Sequence, residues 1–168
     1  MLYSDARPWI QTGDIILWKG NSLVSRVIRL FSEYSHASLV VRMDEFCGDD
    51  NRICIIEAVW PHLEPSRLSS MLGGKHGEAF LYKTTLPHEK RELMRIFALC
   101  KLFEHVRYDV QGVVFNLFGR VSLNAARYYC SEFVIDCYRN AGVVQTDIAI
   151  RPGEIPDYIN GTLIGLEK

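Results

Sequence analysis

The order of patterns along this 168-residue chain predicts an α+β domain, with a small antiparallel sheet packed against helices. Three observations carry that expectation. A short apolar strand is followed at once by an amphipathic helix. A hairpin of β-forming residues occupies the stretch from 36 to 59. Two helical periodicities then dominate the second half, at about 88–104 and from Cys130 to Gly142.

Asp14 to Trp18, DIILW, reads as a buried strand opened by Gly13 and closed by Gly20-Asn21. Asn21 or Ser22 can cap the next helix, whose Leu23, Val24, Val27, Ile28, Leu30 and Phe31 form one sticky face. Arg26, Arg29 and Glu33 then turn outward. HASLVVR (36–42) and ICIIEAV (53–59) form the hairpin, joined by the polar stretch from Asp44 to Arg52. Residues 60–78, with two prolines and three glycines, read as a surface loop, and Ala79–Lys83 as a strand. Pro87 suits the first turn of the long helix, with Leu93, Met94, Ile96, Phe97, Cys100 and Phe103 marking its buried side. Residues 109–118 can form another helix, and 152–168 read as an irregular tail wrapping the domain.

Bulk properties narrow the function classes. The length suits one domain spanning 1–168, with a core that needs no staples. A net charge of −1 without a basic block argues against nucleic acid as a partner. No secretory signal and no transmembrane segment are visible, which points to a cytoplasmic location. Five cysteines without a C-x-x-C give neither a disulfide framework nor a zinc site, so no metal and no cofactor are expected. The sequence leaves the oligomeric state open.

The chemistry concentrates in YYCSEFVIDCYRNAG, residues 128–142. On a helix starting near Cys130, the residues Phe133, Val134, Cys137 and Ala141 share one face, so Cys137 is a small core residue. Gly142 supplies the left-handed cap. Cys130 lies at the opposite end, where unpaired N–H groups and the helix dipole favour a thiolate. A nucleophile there needs a base. Of His36, His62, His76, His88 and His105, only His36 opens a strand at a helix-to-sheet junction. Glu57 interrupts an apolar strand that pairs with the strand of His36, opposite it or nearly so. A carboxylate beside an imidazole fixes its tautomer. Against this stand plainer readings: a second buried cysteine, a locally bonded histidine and a solvated glutamate.

GDIIL (13–17), the amphipathic helix, YSHASLVV (34–41), IIEAV (55–59) and the Cys130 segment, in that order, resemble the circularly permuted NlpC-type cysteine peptidases. These are papain-like thiol enzymes, including the YiiX-like branch and related viral proteins. The resemblance spans about 12–142. It implies a permuted papain-like fold, with Cys130 as nucleophile, His36 as base and Glu57 as third polar residue. Many unpermuted relatives have an aspartate before the nucleophile and Ser-Gly after it; here Tyr129 precedes and Ser131-Glu132 follow. Tyr34, Ser35 and Tyr129 flank the catalytic residues and are expected to shape the substrate pocket.

The expected function is a thiol hydrolase that cleaves an amide bond in a small peptide or cell-wall-derived substrate, through a thioester acyl-enzyme. The related lecithin retinol acyltransferase type also places histidine before cysteine. A lipid acyltransferase or thiol lipid hydrolase with the same three residues is therefore the alternative. A binding module that kept the fold and lost turnover is a third reading.

Overall fold

A computed structural model describes residues 1–43, 52–74, 77–109, 127–146, 148 and 150–168. The expected helix at 109–118, the Val113–Phe118 apolar run, most of the hairpin loop and His76 lie outside the described residues. A six-stranded antiparallel sheet forms the centre, in the order β4-β3-β2-β1-β5-β8. Its strands are β1 (Ile15–Lys19), β2 (His36–Arg42), β3 (Ile53–Ala58), β4 (Leu63–Arg67), β5 (Glu78–Thr84) and β8 (Gly161–Leu166). A short parallel pair, β6 (Arg107–Tyr108) with β7 (Arg127–Tyr128), lies apart from it. Helices are α1 (Tyr3–Ala6), α2 (Leu23–Ile28), α3 (Leu68–Met71), α4 (His88–Phe103), α5 (Cys130–Asn140) and α6 (Ile155–Tyr158). The α+β expectation holds.

Period-two alternation divides the core between the two sheet faces. Ile15, Leu17, Ala37, Leu39, Val41 and Ile56 join one cluster with Met94 and Ala98 of α4 and Phe133, Val134 and Cys137 of α5. Ile16, Trp18, Val40, Ile53, Ile55 and Leu81 join the other, with Ala6, Ile10, Leu68 and Leu72. Helix α5 thus sits on one face of β2 and β3 while its own apolar stripe is buried. It ends in a Schellman motif: Val143 N–H donates to the Tyr138 carbonyl at 2.9 Å and Gly142 N–H to Arg139 at 2.9 Å. Gly142 takes φ of 66°, the left-handed conformation expected of it.

Four expectations change. Residues 60–78 are not simply a loop: β4 is an edge strand on β3, where Pro65 is tolerated because no further strand needs its missing N–H. The tail is not irregular either. Residues 161–166 add to β5 as the other edge, a strand masked in the sequence by Gly161 and Gly165. In α4 the buried side is Arg91, Met94 and Ala98, whereas Leu93, Ile96 and Phe103 are exposed. Arg91 is buried because it donates to the carbonyls of Thr12 (2.5 Å) and Thr84 (2.8 Å) and faces Asp14. Finally, α2 buries none of its residues.

Candidate active site

The β2–β3 ladder runs from Leu39↔Ile56 to Arg42↔Ile53. The first residues of β2 therefore extend past it. Continuing the register places Glu57 across from Ser38, one diagonal step from His36, so all three side chains emerge on the face of Trp18. Glu57 Oε2 accepts from Ser38 Oγ at 3.1 Å and lies 2.8 Å from His36 Nε2. Trp18 Nε1–H donates in turn to Ser38 Oγ at 2.9 Å. Buried Glu57 is thereby held by a hydroxyl and an imidazole, which answers the cost of placing a carboxylate in an apolar strand.

The N-terminus of α5 reaches the same corner from the opposite face of the sheet. Cys130 is its first residue, and His36 and the backbone N–H groups of Ala37 and Ser131 are the neighbours that favour negative charge on its sulfur. With Nε2 on Glu57, Nδ1 is the imidazole nitrogen left for sulfur. Burial resists charge on the thiol, but the neighbouring imidazole and the two N–H groups outweigh it and lower the thiol pKa. His36 is balanced in the converse way. Burial lowers its pKa, yet the sulfur and Glu57 together raise it above the ordinary value. Each group thus favours the charged form of the other. Cys137, two turns along the same helix, has no cation beside it among the described residues, and burial pushes its thiol well up.

A cleft of about 350 Å³ opens on this corner. Trp18, Val24, Ile28 and Val59 form apolar walls, and Ser22, Ser25, Ser32 and Ser35 contribute hydroxyls. Gly20 permits this construction, since a Cβ there would stand 2.4 Å from Ser25 Oγ. Among the expected pocket residues, Ser35 and Tyr129 line the cleft. Ser35 Oγ also ties Gly20 N–H (2.9 Å) and the Trp18 carbonyl (3.1 Å), fixing the end of β1. Tyr34 is placed elsewhere. It is buried in the core, edge-on to Phe80 at 5.4 Å between ring centres, and is not among the cleft-lining residues. As the chain turns into β2 and the site, Tyr34 packs the junction rather than facing the cavity.

Four further residues support the site or line its cleft. Ser38 was findable, since it lies two residues beyond His36 and so on the same strand face. Tyr108, Arg151 and Pro152 arrive from distant segments, and no spacing links them to Cys130. The tail is pinned there by Ser131 Oγ, which donates to the Ile150 carbonyl at 2.5 Å. Gly153 N–H also donates to Ser32 Oγ at 2.9 Å.

A protein-family model described as "Permuted papain-like amidase enzyme, YaeF/YiiX, C92 family" matches residues 9–151. The chain belongs to that family. Its fold is the permuted papain-like one, and the family it belongs to is described as amidases. Among solved structures it is similar to the metalloprotein yiiX from Escherichia coli O157:H7. The identity is 26% and the TM-score 0.61, with 78% of this chain and 66% of that chain covered. Comparison with curated proteins gave no match. That relative is described as a metalloprotein; among the described residues here, no group of three or more His, Cys, Asp or Glu side chains is arranged to hold a metal ion. No helix among the described residues is long and apolar enough to cross a membrane.

Proposed function

We propose that this protein is a thiol amidase acting on a small peptide or cell-wall-derived amide, with Cys130 as nucleophile, His36 as acid–base and Glu57 as the group that orients His36. The observation that carries the reading is the convergence of Cys130, His36 and Glu57 on one cleft, with Glu57 2.8 Å from His36 Nε2.

The thiolate attacks the amide carbonyl, forming a C–S bond. Imidazolium 36 gives its proton to the departing amine, leaving a thioester. His36, now neutral, takes a proton from water as the hydroxide adds, and the acid leaves with the thiolate restored. The Cys130 N–H, at the first helical position with no intrahelical acceptor, is available to the oxyanion. Glu57, held by Ser38, keeps the proton on Nε2 and fixes the orientation of the ring throughout.

Short acyl peptides with a chromogenic amide and matched phospholipids, tested side by side, address the substrate. Peptide turnover with a trapped acyl adduct on Cys130 is the expected result. Turnover of phospholipid alone overturns the peptide assignment in favour of lipid acyl chemistry, a second reading favoured by the Trp18, Val24, Ile28 and Val59 walls. No adduct with any acyl donor overturns the enzyme reading.

A further inference from the structure

Helix α2 folds with its apolar residues facing water. Leu23 is 80% exposed and Leu30 78%, and Val24, Val27 and Phe31 are exposed as well. Helical spacing, continued through the turn at residues 29–31, puts Leu23, Val27, Leu30 and Phe31 on one side. The other side carries Ser25, Ile28 and Ser32, which line the cleft. The helix therefore presents its polar-to-mixed side to the protein and its greasy side outward. That is the reverse of a core helix. Leu23, Val27, Leu30 and Phe31, four exposed apolar residues within nine positions, constitute a patch that isolated surface leucines do not.

Charge identifies what the patch meets. Arg26 and Arg29 are exposed on the flank of the apolar stripe. From Asn21 to Ser32 there is no acidic residue, and the next one, Glu33, is engaged by Lys19 at 3.1 Å. Arg151 reaches the same rim, with Nη1 3.4 Å from the Phe31 carbonyl, but it is paired with Glu154 at 3.9 Å, which leaves Arg26 and Arg29 to carry the charge. The whole chain has a net charge of −1, so this rim departs from the average. A second copy docked face to face would bring like arginines together around the two-fold axis, which disfavours that occupant.

We propose that α2 is an interfacial anchor that seats the protein on an anionic lipid bilayer. Leu23, Val27, Leu30 and Phe31 enter the acyl boundary while Arg26 and Arg29 meet the headgroups. Since the reverse side of α2 walls the cleft, docking holds the mouth of the site at the lipid surface.

Co-sedimentation of the full chain with phosphatidylcholine vesicles, with and without about a third phosphatidylglycerol, tests this. Wild type should pellet with the anionic vesicles and much less with neutral ones, and added salt should weaken binding. Leu23→Glu/Leu30→Glu should reduce binding at least tenfold, and Arg26→Glu/Arg29→Glu should abolish the preference for anionic lipid. Neither pair lines the cleft, so turnover of a dissolved amide is unchanged in both and reports correct folding. Cys130→Ala should bind vesicles like wild type, which separates this proposal from the amidase reading. Failure of wild type to bind, equal binding by Leu23→Glu/Leu30→Glu, or a dimer that this variant dissolves would each overturn it.

Discussion

Cys130 and Cys137 share one helix and both are buried, yet their thiols move in opposite directions. Cys137 has Phe133, Val134 and Ala141 along its face and no cation nearby among the described residues, and burial leaves it protonated. Cys130 has the imidazole of His36 and the N–H groups of Ala37 and Ser131, and these overcome the same burial. Burial therefore does not decide whether a cysteine is inert. What decides it is whether the surroundings supply compensating charge and donors, and of these two cysteines only the one at the helix N-terminus has them, where backbone N–H groups are free to point at a ligand.

The sharpest way to break the comparison is Cys130→Ala. Hydrolysis should fall to the detection limit, by about a millionfold if the nucleophile acts as such groups do elsewhere. Circular dichroism and thermal melting should change little. Retained turnover would move the nucleophile to another residue.

Glu57→Gln comes next. It keeps the shape but removes the charge that supports imidazolium, so kcat should drop about a hundred- to ten-thousandfold with KM little changed. The pH profile carries the sign. Activity rises as the thiol deprotonates, and the lowered Cys130 pKa moves that limb to acid. Activity falls as imidazolium loses its proton, and the raised His36 pKa moves that limb to alkali. Wild type should therefore show a broad plateau across neutrality, and Glu57→Gln should pull in the alkaline side.

At the other end of the helix, Cys137→Ser places a hydroxyl in an apolar pocket and should cost about 1–3 kcal/mol of stability, read by denaturant unfolding. Its kcat/KM should stay near wild type at temperatures where it is folded. A large kinetic defect would mean that the two cysteines are not functionally separate.

The smallest effect concerns Glu132, which accepts from Tyr129 N–H at 3.4 Å in the first turn of α5. Burial, with Asp109 and Asp136 nearby, pushes its carboxyl up to about 8 from an ordinary 4.5. The folded state then binds more protons than the unfolded one between these values, so stability falls as pH climbs through that window. Glu132→Gln should flatten the decline in Tm between about pH 4.5 and 8. An identical slope in wild type and variant would remove Glu132 from the account.

The legibility of this molecule tracks the range of the interactions. His36, Glu57 and Cys130 were readable because each departs from a local pattern: a histidine opening a strand, a carboxylate within ICIIEA, a cysteine at a helix start. Ser38 obeyed the same two-residue period and could have been added. Tyr108, Arg151 and Pro152 could not, because only the folded chain brings them to the cleft. The edge strands β4 and β8 were hidden by Pro65 and by Gly161 and Gly165, residues tolerated there because neighbouring strands supply the register. The apolar periodicity of α2 was correctly visible, but its direction was not. Periodicity finds a greasy face without saying whether protein covers it.

The most direct test is the pH dependence of iodoacetamide alkylation at Cys130, followed by peptide mass spectrometry with exposed Cys100 in the same sample as the comparison. Cys130 should label faster than Cys100 at mildly acidic pH, below the range of about 8.5 where unperturbed thiols react, and His36→Ala should abolish that advantage. Labelling of Cys130 only in the ordinary thiol range, or an acid-side rate unchanged by His36→Ala, would contradict the ion pair on which the site depends.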